Sequence, residues 1–378
     1  MNFSDASDIR LGSSTITALY YGSTLIWPSG TNWANEYLQV EALEPLTLTT
    51  NMPATKTAND ILDIQYSTDT TTWNNWNENV SLSMQTGNIV YFKGSYILND
   101  PNVNELQQFI TTTDKMFNVQ GNIMSLIYGD NFVGQTSLSG YDNCFSHLFT
   151  NTASIGAPNV LKLKIINANN LILPATTLAD DCYKFMFLDC SSLTSTPSLP
   201  ATTLTTRCYC GMFYGCTSLT SAPSLPATTL AYQCYVDMFH NCTSLTSAPS
   251  LPATTLPDDC YERMFAGCTS LTSAPSLPAT TLADYCYLSM FNGCTSLINA
   301  PYLPATTLTT SCYELMFAAC TSLSYVQCMA TDISASRCTT NWFYEASASG
   351  TFVKDANMNN WTTGDDGIPS GWTVQNAS

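Results

Sequence analysis

A unit of 26 residues recurs six times in constant register, and a fixed period of that size commits its part of the chain to a stack of rungs. The marker Leu-Pro-Ala-Thr-Thr-Leu begins at Leu173, Leu199, Leu225, Leu251, Leu277 and Leu303. Each copy leads into Cys-Tyr-x-x-Met-Phe-x-x-Cys, starting at Cys182, Cys208, Cys234, Cys260, Cys286 and Cys312. No single unit of this length can bury its own apolar face; stacking on neighbours does so.

The unit from Leu251 to Ser276 reads as a short strand, a turn and a short helix. Thr255 fits a helix N-cap, and Thr255/Asp258 has the spacing of a capping box, repeated at Thr177/Asp180 and Thr281/Asp284. Leu256, Cys260 and Met264 fall at i, i+4 and i+8, flanked by Tyr261 and Phe265, which gives one apolar helical face. Gly267 stands where a left-handed C-cap would stop that helix, as do Gly215, Asn241 and Gly293. Leu271 to Ala274 then forms a very short strand, and Pro275 ends it or leaves a ladder bond unmade. Strand spacing implies a rise of about 5 Å per repeat.

Twelve of the sixteen cysteines make six Cys-x7-Cys pairs: Cys182/Cys190, Cys208/Cys216, Cys234/Cys242, Cys260/Cys268, Cys286/Cys294 and Cys312/Cys320. On a helix the two members lie about 12 Å apart along the axis, beyond the roughly 7 Å that a disulfide tolerates. The expectation is two ladders of free, buried thiols acting as small apolar side chains. Such ladders suit assembly in a reducing cytoplasm. With no Cys-x2-Cys and only His147 and His240, neither zinc nor a Cys–His nucleophile has support.

The run Met290–Leu297, with the Leu-Pro that follows, resembles the BspA-like leucine-rich repeats of gut bacterial surface proteins and their phages. The resemblance covers about half the chain, with a longer helix and an extra Pro-Ser pair. It implies an α/β fold: a leucine-rich-repeat solenoid of strand-turn-helix units over residues 173–346. Small all-β domains would precede it, and a C-terminal β cap over 347–378 would close it. Lys115-Met-Phe-Asn and Cys144-Phe-Ser-His-Leu-Phe echo the repeat helix, so 101–172 reads as an irregular N-terminal cap. Residues 31–100 alternate apolar and polar positions in short runs, at 37–42, 46–50, 61–67, 80–84 and 89–93, as a β-sandwich does. Trp73 and Trp76 there read as hairpin packing, with a sugar-stacking platform as the alternative.

Residues 1–30 read as a small β unit: Ile9-Arg-Leu-Gly-Ser, Leu19-Tyr-Tyr-Gly-Ser and Leu25-Ile-Trp-Pro. This pattern resembles a short N-terminal module of phage virion proteins, where it implies docking to other virion proteins; a hairpin sealing the next domain is the alternative. The first ten residues have neither the basic nor the apolar region of a secretory signal. That favours a virion protein released by lysis over a secreted or bacterial surface adhesin.

The net charge is −17, and the 11 basic residues form no run, which argues against nucleic acid and anionic lipid as partners. No stretch spans a membrane, and no heptads indicate a trimer, so a homo-oligomer stays open. No nucleophile elbow, phosphate loop or triad appears, so neither an enzyme nor a cofactor is expected. Between repeats, the Thr-Ser-Ala-Pro-Ser line hardly changes. Variation falls around the first cysteine, where Arg207, Tyr232, Asp258, Asp259, Glu262, Arg263, Asp284 and Tyr285 define a candidate recognition face for a host glycan or protein. Drift on a solvated face is the alternative.

Overall fold

In the computed structural model, the described residues are 32–50, 62–96, 109–111, 115–150 and 164–377, with the backbone of four short strands within 9–27. Those four form two antiparallel hairpins, β1 (Ile9–Leu11) with β2 (Ser14–Ile16) and β3 (Leu19–Tyr21) with β4 (Thr24–Trp27).

Next come β5 (Leu38–Ala42), β6 (Leu46–Thr50), β7 (Leu62–Ser67), β8 (Asn74–Asn75), β9 (Leu82–Met84), β10 (Ile89–Tyr96), β11 (Phe109–Thr111) and β12 (Met116–Asn122). All five alternating runs of the sequence appear among them as strands. β11, β6 and β9 make one sheet, and β12, β5, β10, β7 and β8 run in order through the other. Trp76, Phe92 and Phe109 fill the space between the sheets with ring centroids 4.7–4.9 Å apart. β6 shows the alternation of a one-sided strand, with Leu46, Leu48 and Thr50 inward.

β12 joins the sandwich to the stack. It is antiparallel to β5 on one side. On the other it is parallel to β13 (Lys164–Ile165) and β14 (Leu171–Ile172), the first line of the solenoid. Gly121 permits the junction, since a Cβ there would lie 2.0 Å from the Tyr37 carbonyl oxygen and its φ is +82°. Lys115-Met-Phe-Asn therefore leads into a strand and is no repeat-like helix. Cys144 to Phe149 does belong to the stack: Phe145 lies on Tyr183 and Phe149 on Phe187.

The repeats carry no helix. Among the described residues the α-helical content is α1 (Ser125–Tyr128), at the end of the sandwich. The segment expected to be helical is a ribbon of consecutive turns, so the strand-turn-helix unit is corrected to bridge, corner and turn ribbon. Its hydrogen bonds alternate. Lys184, Met186, Leu188 and Cys190 donate to the carbonyl three residues back; Asp181, Tyr183, Phe185, Phe187 and Asp189 donate to Thr206, Cys208, Cys210, Met212 and Tyr214 of the next rung. The same five cross-rung bonds recur from Arg207–Gly215 through Ser311–Ala319. Every fourth residue has positive φ, as at Asp181, Phe185 and Asp189, which places it third in every second turn, the position of the type II turn that favours Gly or Asn. Gly215, Asn241, Gly267 and Gly293 are left-handed as expected, but they end a turn within the ribbon rather than a helix.

Apart from Leu230, which is partly buried, the rungs bury equivalent residues. In one, Leu251, Ala253, Leu256, Cys260, Tyr261, Met264, Phe265, Cys268 and Leu271 are all buried. Tyr209, Tyr235, Tyr261 and Tyr287 stack 5.8–5.9 Å apart, and Phe213, Phe239, Phe265 and Phe291 at 5.7–5.8 Å, slightly above the expected rise. On the opposite side the rungs meet through isolated parallel bridges, Ser221 to Ser247 to Ser273 to Asn299. The prolines at 223, 249 and 275 lack the N–H that would widen a bridge into a ladder. Where the pattern relaxes, strands form: β15 (Asn299–Leu303), β16 (Tyr325–Cys328), β17 (Thr351–Lys354) and β18 (Thr373–Asn376), all parallel in that order. The last two strands thus continue the stack in parallel rather than closing its edge.

Candidate recognition surface

The turn ribbon faces outward on the side where the repeats vary. Asp237 accepts two bonds from Arg263 of the next rung, at 2.9 and 3.0 Å, and pairs with His240 Nδ1 at 2.7 Å. Arg263 also pairs with Glu262 at 2.6 Å. Burial pushes the Asp237 carboxyl up, but the bonds from His240 and Arg263 outweigh it and hold the group below its ordinary range. Glu262, with less compensation, is raised by burial. Two rungs earlier, Arg207 donates to Asp181 at 2.9 Å, and Asp181 also meets Lys184 at 3.1 Å. Further on, Arg337 pairs with Glu314.

The acids of the expected capping boxes work across rungs. The Asp180 carboxylate accepts the Thr206 N–H at 3.0 Å, Asp258 that of Asp284 at 3.1 Å, and Asp284 that of Thr310 at 2.9 Å. No helix exists for them to cap; they satisfy backbone donors of the following repeat. Asp259 and Tyr285 occupy left-handed positions. Asp259 is raised by burial and by neighbouring Asp258. Tyr232 and Tyr285 remain 46% and 38% exposed, and Asp258 is exposed beside them. All eight residues lie in the turn ribbon or at its entrance; the two arginines, Asp258 and Asp284 bond to neighbouring rungs, and Glu262 is buried.

All sixteen cysteines are free and buried. The second member of each pair donates its S–H to a phenylalanine carbonyl of the preceding rung, as from Cys216 to Phe187, Cys242 to Phe213 and Cys268 to Phe239, at 3.1–3.3 Å. Burial pushes the thiols of Cys208, Cys268 and Cys320 up to about 12, so they stay protonated at neutral pH and are poor nucleophiles. Among the described residues no group of three or more His, Cys, Asp or Glu side chains is arranged to hold a metal, and no helix is long and apolar enough to cross a membrane.

Trp76 is fully buried in the sandwich, which removes it from a sugar platform. Trp73 instead packs edge-on against Tyr37, with the Lys93 ammonium 4.3 Å from its ring centre. Lys93 is bound by Asp130 at 2.8 Å, and Tyr37 donates to the same carboxylate at 2.7 Å.

One exposed feature lies on the strand side, where the repeats vary little. Ile298, Tyr302 and Tyr325 stand 50%, 52% and 36% exposed on the strand side of the last rungs. The signal was present: position 272 is Thr and 276 is Ser one repeat earlier, while 298 is Ile and 302 is Tyr.

Comparison of the chain with protein-family models, curated proteins and solved structures found no match.

Proposed function

We propose that this protein is a non-enzymatic surface-recognition protein of a phage virion, a tail or head fibre or a decoration. It docks to other virion proteins through its N-terminal region and presents its repeat surface to a glycan or protein receptor on the host cell. It is made in the host cytoplasm and released with the particle by lysis. The observation that carries this reading is the use of chemistry-bearing side chains in the stack. The cysteines, the stacked tyrosines and the ion pairs Arg207–Asp181, Arg263–Asp237 and Arg337–Glu314 serve rung-to-rung packing, which leaves an elongated surface as the feature available to a partner. The free thiols suit folding in a reducing compartment, and the two small N-terminal hairpins fit the small β unit whose sequence pattern resembles a virion docking module.

A BspA-like leucine-rich-repeat adhesin of a bacterial surface is the second reading, favoured by the Met-Phe-x-Gly-Cys-Thr-Ser-Leu-Thr-Ser run. Antibody labelling of intact particles separates the two: the virion reading requires label on purified particles, and label on uninfected bacteria alone would sink it. Deletion of the gene from the phage is expected to lower host adsorption; full adsorption by particles lacking the protein would leave only a structural role in the virion.

A further inference from the structure

The outward columns of the C-terminal sheet differ in kind from the rest of the strand side. The first runs Asn299, Tyr325, Thr351, Thr373 and the second Tyr302, Gln327, Val353, Gln375, as fixed by the parallel register, with Val353 the buried member of the second. None of these eight side chains is charged, in a chain of net charge −17. Ile298 and Tyr302 replace the threonine and serine of the preceding repeat, and Tyr325 follows Asn299 and Ser273 in its column. Large exposed side chains have thus entered only where the sheet is continuous. The Tyr325 hydroxyl donates to Gln327 Oε1 at 3.2 Å, which fixes a ring beside an amide. Neighbouring rungs of a parallel sheet lie about 4.8 Å apart, so rings, amides and hydroxyls repeat along the stack at short intervals.

We propose that this patch, centred on Ile298, Tyr302, Tyr325 and Gln327, binds a neutral glycan. Tyrosine offers an apolar face together with a polar tip, which suits a ligand that is part apolar and part hydroxylated. A sugar ring presents such a C–H face, and its hydroxyls match the amides of Asn299 and Gln327. The lack of charge disfavours an acidic or basic partner, and the shallow sheet suits an extended chain more than a small enclosed molecule. The inference rests on the surface-recognition part of the proposed function and names the surface; it does not require the virion.

The test is binding of the full-length protein to an array of immobilised neutral and acidic glycans. The probe variant combines Ile298→Thr, Tyr302→Ser and Tyr325→Ser, each restoring a residue that an earlier repeat carries at that position, so the fold has precedent for all three. The wild type is expected to bind neutral glycans with little dependence on salt, and the triple variant, with unchanged Tm, to bind at least about tenfold more weakly. Val133→Ser, at an exposed apolar residue outside the repeats, is expected to bind as the wild type does. Equal binding by the folded triple variant would overturn the inference. So would binding confined to acidic glycans, attachment to host cells through a protease-sensitive receptor without glycan binding, or self-association of the wild type that the triple variant abolishes. Virions without label but with patch-dependent glycan binding would remove the virion reading and leave this one intact.

Discussion

The left-handed backbone at every fourth ribbon position explains residue choices that apolar patterning does not. Non-glycine residues there carry a penalty of roughly 1–2 kcal/mol, and the chain answers with Gly, Asn or Asp at most of the third positions: Asp189, Gly215, Asn241, Gly267 and Gly293. Ala319, with φ of 57°, is the exception in the sixth repeat. Ala319→Gly should therefore stabilise the protein by about 0.5–1 kcal/mol after the greater unfolded-state entropy of glycine is offset, read as a higher denaturation midpoint. His147 gives a pH signature. Burial, aided by Lys184, lowers it to about 4. Between pH 4 and its unfolded value near 6.5, the unfolded chain binds a proton that the folded one refuses. Stability therefore rises with pH across that window and is lost as pH falls through it. His147→Asn, which suits the local φ of 59°, should flatten that slope in denaturation curves taken from pH 4 to 7.

For the elements, the repeat was legible as a period and a core but not as a backbone. Every buried position named from the unit is buried, and the five sandwich strands match their alternating runs. The helix failed because Cys260, Met264 and Cys268, with Tyr261 and Phe265 beside them, repeat every four residues, and a four-residue turn unit satisfies that pattern as well as a 3.6-residue helix does. The discriminating evidence was the second set of turn residues four positions before the expected cap, Gly211 and Asp237, which a helix interior disfavours. Far-ultraviolet circular dichroism should accordingly lack the double minimum of a helical protein; a helical fraction near one third would refute the ribbon. The exposed strand-side residues carry a weaker sequence signal, because Ile298 and Tyr302 depart in a single repeat from a strand line that otherwise hardly changes.

For the whole molecule, the sandwich and the stack share one core. Phe109 of the sandwich touches Phe149 of the first ribbon rung at 5.3 Å, and β12 serves both sheets. This junction was not legible in the sequence, since Lys115-Met-Phe resembled a repeat and is a strand. Because the rungs are equivalent, removal of residues 251–276 should yield a folded, shorter protein with cooperative unfolding, while removal of 251–263 should abolish it, as read by thermal melts. The cross-rung bonds have an electrical consequence. Their N–H groups all point toward the C-terminal rungs and their carbonyls toward the N-terminal ones, so five peptide dipoles per rung add along the stack axis, as they do along a helix. The positive pole lies at the rung of Asn341 and Phe343, and there the chain sets an acid: Asp366 Oδ1 accepts the Asn341 N–H at 2.5 Å, while the backbone carbonyl of Asp365 accepts that of Phe343 at 3.2 Å. Asp366→Asn, which keeps an acceptor but removes the charge, should lower stability by about 0.3–1 kcal/mol, with a loss that shrinks as salt is added. The solenoid is in this sense a rod with a permanent electric polarity, counter-charged where its donors run out.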